Sequence, residues 1–96
     1  MNELTKFSIE FLRILSDQTR LEILELLRDG PKTSKEIQIQ LNKSQPTISQ
    51  HLKNLQGSNL IDINLMENEN NKRLKYYSIK DKDLFKLLST IYSYVA

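Results

Sequence analysis

The chain has no cysteine, a single histidine, two glycines and two prolines among its 96 residues. Without thiols it can form neither a disulfide nor a thiolate metal site, and a reducing compartment is permitted. One imidazole cannot build a conventional metal centre. There is no glycine-rich loop to cradle a phosphate, and no nucleophile–base pair can be assembled from one histidine and no cysteine. No catalytic residue, metal or cofactor is therefore expected. No apolar run is long enough to span a bilayer. The stretch Met1-Asn2-Glu3-Leu4 lacks the basic start and apolar core of a secretion signal, so the cytoplasm is the expected location and a membrane is not an expected partner.

Acids are missing from one region. The net charge is only +2, but no Asp or Glu lies between Glu36 and Asp62. Lys43 and Lys53 are the charges of that stretch, with His51 as a possible third. A locally basic face on a nearly neutral protein does not repel phosphate. The length suits one domain over residues 1–96. Hydrophobic content of 39% and charged content of 27% are those of a folded domain.

Apolar spacing predicts the elements. Leu4, Phe7, Phe11, Ile14 and Leu15 make a helical stripe over residues 3–15, with Ile9 and Leu12 off that stripe. Ser16 or Asp17 can cap a second helix that runs to about Arg28, burying Leu21, Leu24 and Leu27 with Ile23 beside them. Gly30-Pro31 ends it. Thr33-Ser34-Lys35-Glu36 matches a capping box opening a short third helix to about Leu41. After an Asn42-Lys43 turn, Ser44 caps a fourth helix with Pro46 in its first turn, ending at Gly57. Its buried stripe is Ile48, Leu52 and Leu55. The period then becomes two. Ile61, Ile63 and Leu65 read as a half-buried strand, and residues 73–79 as its hairpin partner around the tip Glu67-Asn68-Glu69-Asn70-Asn71. Asp81 or Asp83 can cap a last helix with Leu84, Leu87, Leu88, Ile91 and Val95 on one stripe, and Phe85 and Tyr92 on a second. The order α-α-α-α-β-β-α is mainly α with a small β-hairpin, a winged helix-turn-helix.

A helix-turn-helix presents its second helix, here residues 45–56, to the DNA major groove. With Ile48, Leu52 and Leu55 inside, Pro46, Gln50 and Lys53 point outward, flanked by Gln45, Thr47, Ser49 and Asn54. Gln can bond adenine in a bidentate way, and Ser or Thr can bond several base edges. Lys43 and Lys53 suit phosphates, as do Ser44 and the free amides at the helix start. His51 lies at the edge of the buried stripe and reads as packed or phosphate-touching. In the wing, residues 66–75, Arg73 is placed to enter the minor groove. Lys72 and Lys75 read either as groove contacts or as charges that keep an edge hairpin solvated. The first and last helices carry more apolar groups than one core needs, so Leu4, Phe7, Phe11, Phe85, Leu88 and Tyr92 are candidate dimer contacts.

The runs Asp17-Gln18-Thr19-Arg20-Leu21-Glu22-Ile23-Leu24-Glu25-Leu26-Leu27 and Ser44-Gln45-Pro46-Thr47-Ile48-Ser49-Gln50-His51-Leu52-Lys53-Asn54-Leu55, with Arg73 before Tyr76-Tyr77, resemble the ArsR family of winged-helix regulators. The resemblance implies a homodimer joined through its first and last helices and a repressor acting on a double-stranded DNA operator. It implies Ser44, Gln45, Thr47, Ser49 and Gln50 as the reading set. Two departures accompany it. The cysteine pair of metal-sensing members is replaced by Ile37-Gln38-Ile39-Gln40, and the last helix lacks the His and acidic ligands of others. No metal effector is expected, and the signal is unknown. The glycine that often precedes the wing arginine is Lys72 here. A competing reading is a winged-helix module for protein contacts in transcription machinery, against which the acid-free helix argues.

Overall fold

The first backbone N–H groups of a helix need an acceptor, and a side chain supplies one before each of the first four α-helices. The computed structural model describes residues 2–96. Met1, part of the stretch read for a secretion signal, lies outside them. Asn2 caps α1 (Glu3–Leu15), accepting from the Thr5 N–H at 2.8 Å. Asp17 caps α2 (Gln18–Leu26) through the Arg20 N–H at 3.0 Å. Thr33 and Glu36 close the expected capping box on α3 (Ser34–Leu41). Ser44 caps α4 (Gln45–Gly57). At α5 (Asp83–Val95) the Asp81 carboxylate, one of the two expected caps, accepts from the Asp83 N–H at 2.9 Å.

The second helix ends in a tighter turn than its apolar spacing predicts. Leu27–Asp29 is a 3-10 turn, closed by the Gly30 N–H on the Leu27 carbonyl at 3.1 Å. Gly30 then takes φ 130, a conformation L side chains rarely adopt, and Pro31 ends the ladder. The next residue does something the sequence did not announce. Lys32 exchanges two backbone hydrogen bonds with Tyr77, at 2.8 and 3.0 Å, so the loop after α2 pins the hairpin. That hairpin is β1 (Ile61–Glu67) antiparallel to β2 (Arg73–Ile79), in register from Ile61 opposite Ile79 to Glu67 opposite Arg73.

One cluster forms the core. It takes Leu15 from α1, Ile23, Leu24 and Leu27 from α2 and its turn, and Ile37 from α3. Ile48, Leu52 and Leu55 come from α4, Leu60 and Ile61 from the hairpin root, and Leu84 and Leu88 from α5. Because α2 packs against α1, α3 and α4, its buried arc centres on Ile23 and Leu24, while the expected Leu21 is only half-buried.

Three expectations need correction. Leu88, a candidate dimer contact, is 1% exposed and belongs to the core of its own chain, so it has no surface to offer a partner. The last-helix stripe splits: Leu84, Leu88 and Ile91 pack inward, while Leu87 and Val95 face outward. The half-buried strand is buried only at its root, since Leu65 is 57% exposed where the hairpin projects beyond the helices.

The last helix is tied to α2 by a polar and aromatic contact. Arg28 makes a two-pronged bond to Glu25, at 3.0 Å for each prong, and lies 4.2 Å over the Phe85 ring. The Tyr92 hydroxyl donates to the same Glu25 carboxylate at 3.0 Å. The Arg28 bond is the main reason the Glu25 carboxyl sits below its ordinary value of 4.5, with Tyr92 adding to the effect and burial opposing it.

Two predictions follow from this packing. Ile37 is fully buried and Ile39, two positions on, is 69% exposed. Ile37→Ala should cost roughly 2–5 kcal/mol and Ile39→Ala less than about 0.5 kcal/mol in urea unfolding; equal losses would contradict the packing. The second concerns acid. A carboxyl depressed by folding stabilises the fold above its unfolded value and loses that contribution as pH falls through its folded value. Glu25 should therefore contribute to acid unfolding below pH 4.5. Glu25→Gln, followed by thermal melts from neutral pH down, should be less stable at neutral pH and should show a smaller further loss below that value.

Candidate nucleic-acid interface

The turn before α4 is set by asparagine. Asn42 takes φ 53, a left-handed conformation that Asn tolerates better than most residues. The Lys43 N–H then reaches the Gln38 carbonyl at 3.1 Å. Ser44 follows in extended conformation. Its Oγ accepts from the Thr47 N–H at 3.3 Å and donates to the Thr47 hydroxyl at 2.9 Å. The first turn of α4 carries no acid, so the positive end of the helix dipole is not neutralised there.

Ile48, Leu52 and Leu55 are buried as their spacing predicts, which turns the opposite face to solvent. Lys43, Ser44, Gln45, Thr47, Gln50 and Lys53 are exposed, and Ser49 is half-buried. The polar side chains bond to one another one helical turn apart. Gln45 Nε2 donates to Ser49 Oγ at 2.7 Å, and Gln50 Nε2 donates to Asn54 Oδ1 at 3.4 Å. These pairs hold amides and hydroxyls in defined orientations, and base edges can take over the same donors and acceptors. Asn54, named only as a flanking residue from the sequence, is the partner that orients Gln50.

The wing tip is built without glycine. Asn68 Oδ1 accepts from the N–H groups of Asn70 and Lys72, both at 2.9 Å, and Asn71 adopts φ 59. An Asx turn and a left-handed asparagine thus do the work that a glycine before the arginine would do. Arg73 and Lys75 are exposed on β2. Asn-rich composition marked the loop, but not which asparagine organises it.

His51 is half-buried at the edge of α4, as its position implied. Its Nδ1 lies 3.3 Å from Arg20 Nη1 and its Nε2 3.9 Å from Asp17 Oδ1. Arg20 received no role from the sequence. A signal was available: a cation in the first turn of a helix opposes the dipole and needs a partner elsewhere.

The candidate dimer residues divide. Leu4 and Phe7 are widely exposed, at 78% and 66%. Phe11 is half-buried and packed on the core. Phe85 lies under Arg28 and Tyr92 is bonded to Glu25, so both are partly engaged within the chain. Leu12, Leu87, Tyr94 and Val95 add exposed apolar surface on α1 and α5 that the candidate set did not include. Among the described residues, no three His, Asp or Glu side chains gather to hold a metal ion. Nor, among those residues, is any helix long and apolar enough to cross a membrane.

Known proteins share this arrangement. The winged helix-turn-helix is matched with a TM-score of 0.85 by the structure of Rv0081 from Mycobacterium tuberculosis, 24% identical, covering 99% of this chain and 91% of that one. It is matched with a TM-score of 0.78 by a homodimeric winged helix-turn-helix DNA-binding domain from Mycobacterium bovis, 24% identical, over 96% of this chain and 81% of that one. In sequence, 50 residues are 44% identical to the arsenical resistance operon repressor of Staphylococcus aureus, covering 52% of this chain and 48% of that protein. The chain spans about half the length of the curated relatives it matches. Residues 17–62, from the cap of α2 through α4 to the start of β1, match the model of the bacterial regulatory proteins of the arsR family.

Proposed function

We propose that this chain, read as one domain over residues 1–96, is a cytoplasmic transcriptional repressor that binds a double-stranded DNA operator as a homodimer. The observation that carries the reading is the outer face of α4: exposed amides, hydroxyls and Lys53, no acid, and an uncompensated positive helix end capped by Ser44. A 13-residue helix is about 20 Å long and fits the major groove, which is about 12 Å wide. Gln45, Thr47, Ser49 and Gln50 face base edges in this reading. Lys43, Ser44 and Lys53 take phosphates, while Arg73 and Lys75 bring the wing to the neighbouring minor groove. The name of the staphylococcal relative supports a repressor, the family description supports a regulator, and the Mycobacterium bovis neighbour supports a dimer. No catalytic role is part of this reading.

Shape supports the dimer as well. The radius of gyration is 14.4 Å, against about 13 Å for a compact domain of this size. The excess goes with a projecting wing and with terminal helices that leave apolar side chains uncovered. A two-fold partner covers the same patch on both chains and sets two recognition helices about 34 Å apart, so the operator is an imperfect palindrome.

Selection of bound sequences from a random duplex library tests the DNA reading directly. Gln50→Ala should cost roughly 1–3 kcal/mol at its cognate base and relax preference there. Lys53→Ala should weaken every sequence alike and reduce the salt slope by about one. An unchanged sequence profile for Gln50→Ala would remove that residue from the reading set, and affinity indifferent to salt would favour a protein-contact module. For assembly, the wild-type chain should sediment as a dimer at micromolar concentration. Leu4→Glu with Phe7→Glu should raise the dimer dissociation constant by about thirtyfold or more and lower DNA affinity, although neither residue faces DNA. A wild-type monomer with full DNA affinity would overturn the dimer.

A further inference from the structure

Arg20 stands in the first turn of α2, where the positive helix end disfavours a cation. Its guanidinium is carried away from that end. Nε donates to the Ile14 carbonyl at 2.7 Å and Nη2 to the Arg13 carbonyl at 3.3 Å, both in the last turn of α1. A cation suits the negative end of that helix. The remaining Nη1 lies 3.3 Å from Nδ1 of His51 on α4. One side chain thus joins the end of α1, the start of α2 and the recognition helix.

This contact is a hydrogen bond in only one protonation state of the ring. A guanidinium can only donate, so the Nδ1 that faces it must accept. The neutral ring then carries its proton on Nε2, directed toward Asp17 Oδ1 at 3.9 Å. Asp17 is held below the ordinary carboxylate value mainly by its bond from the Arg20 N–H, with burial opposing and the Arg20 charge assisting, joined by that of His51 only when the ring is protonated. Asp17 and Arg20 are the charged groups that face the ring. Among the described residues, α3 and β1, which also pack on α4, send it no hydrogen bond or ion pair. A proton on Nδ1 replaces an accepted hydrogen bond with two opposed donors and two like charges, which Asp17 offsets only in part.

We infer that Arg20 and His51 are positioning residues for DNA reading: their contact ties the pitch of α4 to the end of α1 and holds only while the ring is neutral. The inference rests on the DNA-binding reading above. It deepens that reading by naming what connects the helix proposed to dimerise with the helix proposed to read bases. His51 acts here through the placement of α4, with no base or phosphate contact of its own. The sign follows. Protonation of the ring on acidification removes the acceptor, so DNA affinity falls as pH drops. A direct phosphate contact by a protonated His51 has the opposite sign, with affinity rising as pH falls.

The test measures equilibrium binding of a selected duplex by the full chain from about pH 8 to about pH 5.5, with two variants. His51→Asn sets an amide oxygen near the place of Nδ1 and accepts from Arg20 without titrating; His51→Leu removes the acceptor. Wild-type affinity should fall about tenfold across the range, the scale of one charge-assisted hydrogen bond. His51→Asn should stay within about twofold of the wild type at the higher pH and remain flat below it. His51→Leu should be about tenfold weaker throughout, while still melting cooperatively. Imidazole nitrogen shifts of the DNA-free wild type should report the Nε2–H tautomer at the higher pH. Wild-type pH dependence retained by His51→Asn, affinity that rises on acidification, or an Nδ1–H tautomer in the free protein would each overturn the inference. Failure of the wild type to bind any duplex, with the expected tautomer present, would overturn the DNA reading itself and the positioning role with it.

Discussion

The proposed reading surface depends on α4 burying Ile48, Leu52 and Leu55, because that choice decides which side chains leave the protein. The three positions lie within one face of a 3.6-residue helix, and all three are shut into the same cluster as Ile37 and Ile23. A rotation of the helix by one residue would expose leucines, at roughly 1.5–3 kcal/mol each, and drive Ser49 and Lys53 inward without partners. Several kilocalories therefore hold the face bearing Gln45, Gln50 and Lys53 toward solvent. Specificity can then be left to residues that contribute almost nothing to folding.

Asparagine makes the sharp turns in a chain that has only two glycines. Asn42 turns α3 into α4, Asn59 leads α4 into the hairpin, and Asn71 closes the wing, all at positive φ. The Asn59 amide oxygen also accepts from Lys80 Nζ at 3.1 Å, across the hairpin root. An asparagine in a left-handed conformation supplies a hydrogen-bonding side chain where glycine supplies only freedom. The wing is the clearest case, since Asn68 organises the loop with its side chain while Asn71 provides the backbone turn.

Legibility in the sequence followed the physics of each element. Apolar spacing and caps are local, so α3, α4 and their turn could be placed from Thr33, Glu36, Ser44 and the Ile48-Leu52-Leu55 stripe. Which of two apolar stripes faces the core is not local. On α5 the sequence offered Leu88 to a partner, but the inward face is the one carrying Leu84, Leu88 and Ile91, and Leu87 and Val95 are left outside. Period-two alternation announced β1 but could not say how far the hairpin outruns the helices, hence the exposure of Leu65. Contacts between distant segments, such as Lys32 with Tyr77 and Arg20 with His51, left only faint signs in composition. The candidate reading residues on α4 needed only a helical wheel. The support behind them, Asn54 and Arg20, is set by contacts that only the folded chain forms.

A chain of this size buries a small share of its surface and is marginal by itself. Here α1 gives one buried side chain, Leu15, to the core and leaves Leu4, Phe7 and Leu12 exposed. A helix so weakly held by its own domain would be expected to fray, yet its last turn is clasped by the Arg20 guanidinium through the Arg13 and Ile14 carbonyls. That clasp places the best-anchored end of α1 next to α4 and leaves the apolar side chains of its other end exposed. A second copy packing on the free end would lower the freedom of α1 and thereby of Arg20 and His51. Ordering at the proposed dimer contact and at the proposed DNA face would then be linked through one side chain, without any change of fold. An arginine placed against its own helix dipole makes sense in that light: the unfavourable position at the start of α2 is the one from which a single fork reaches both neighbours.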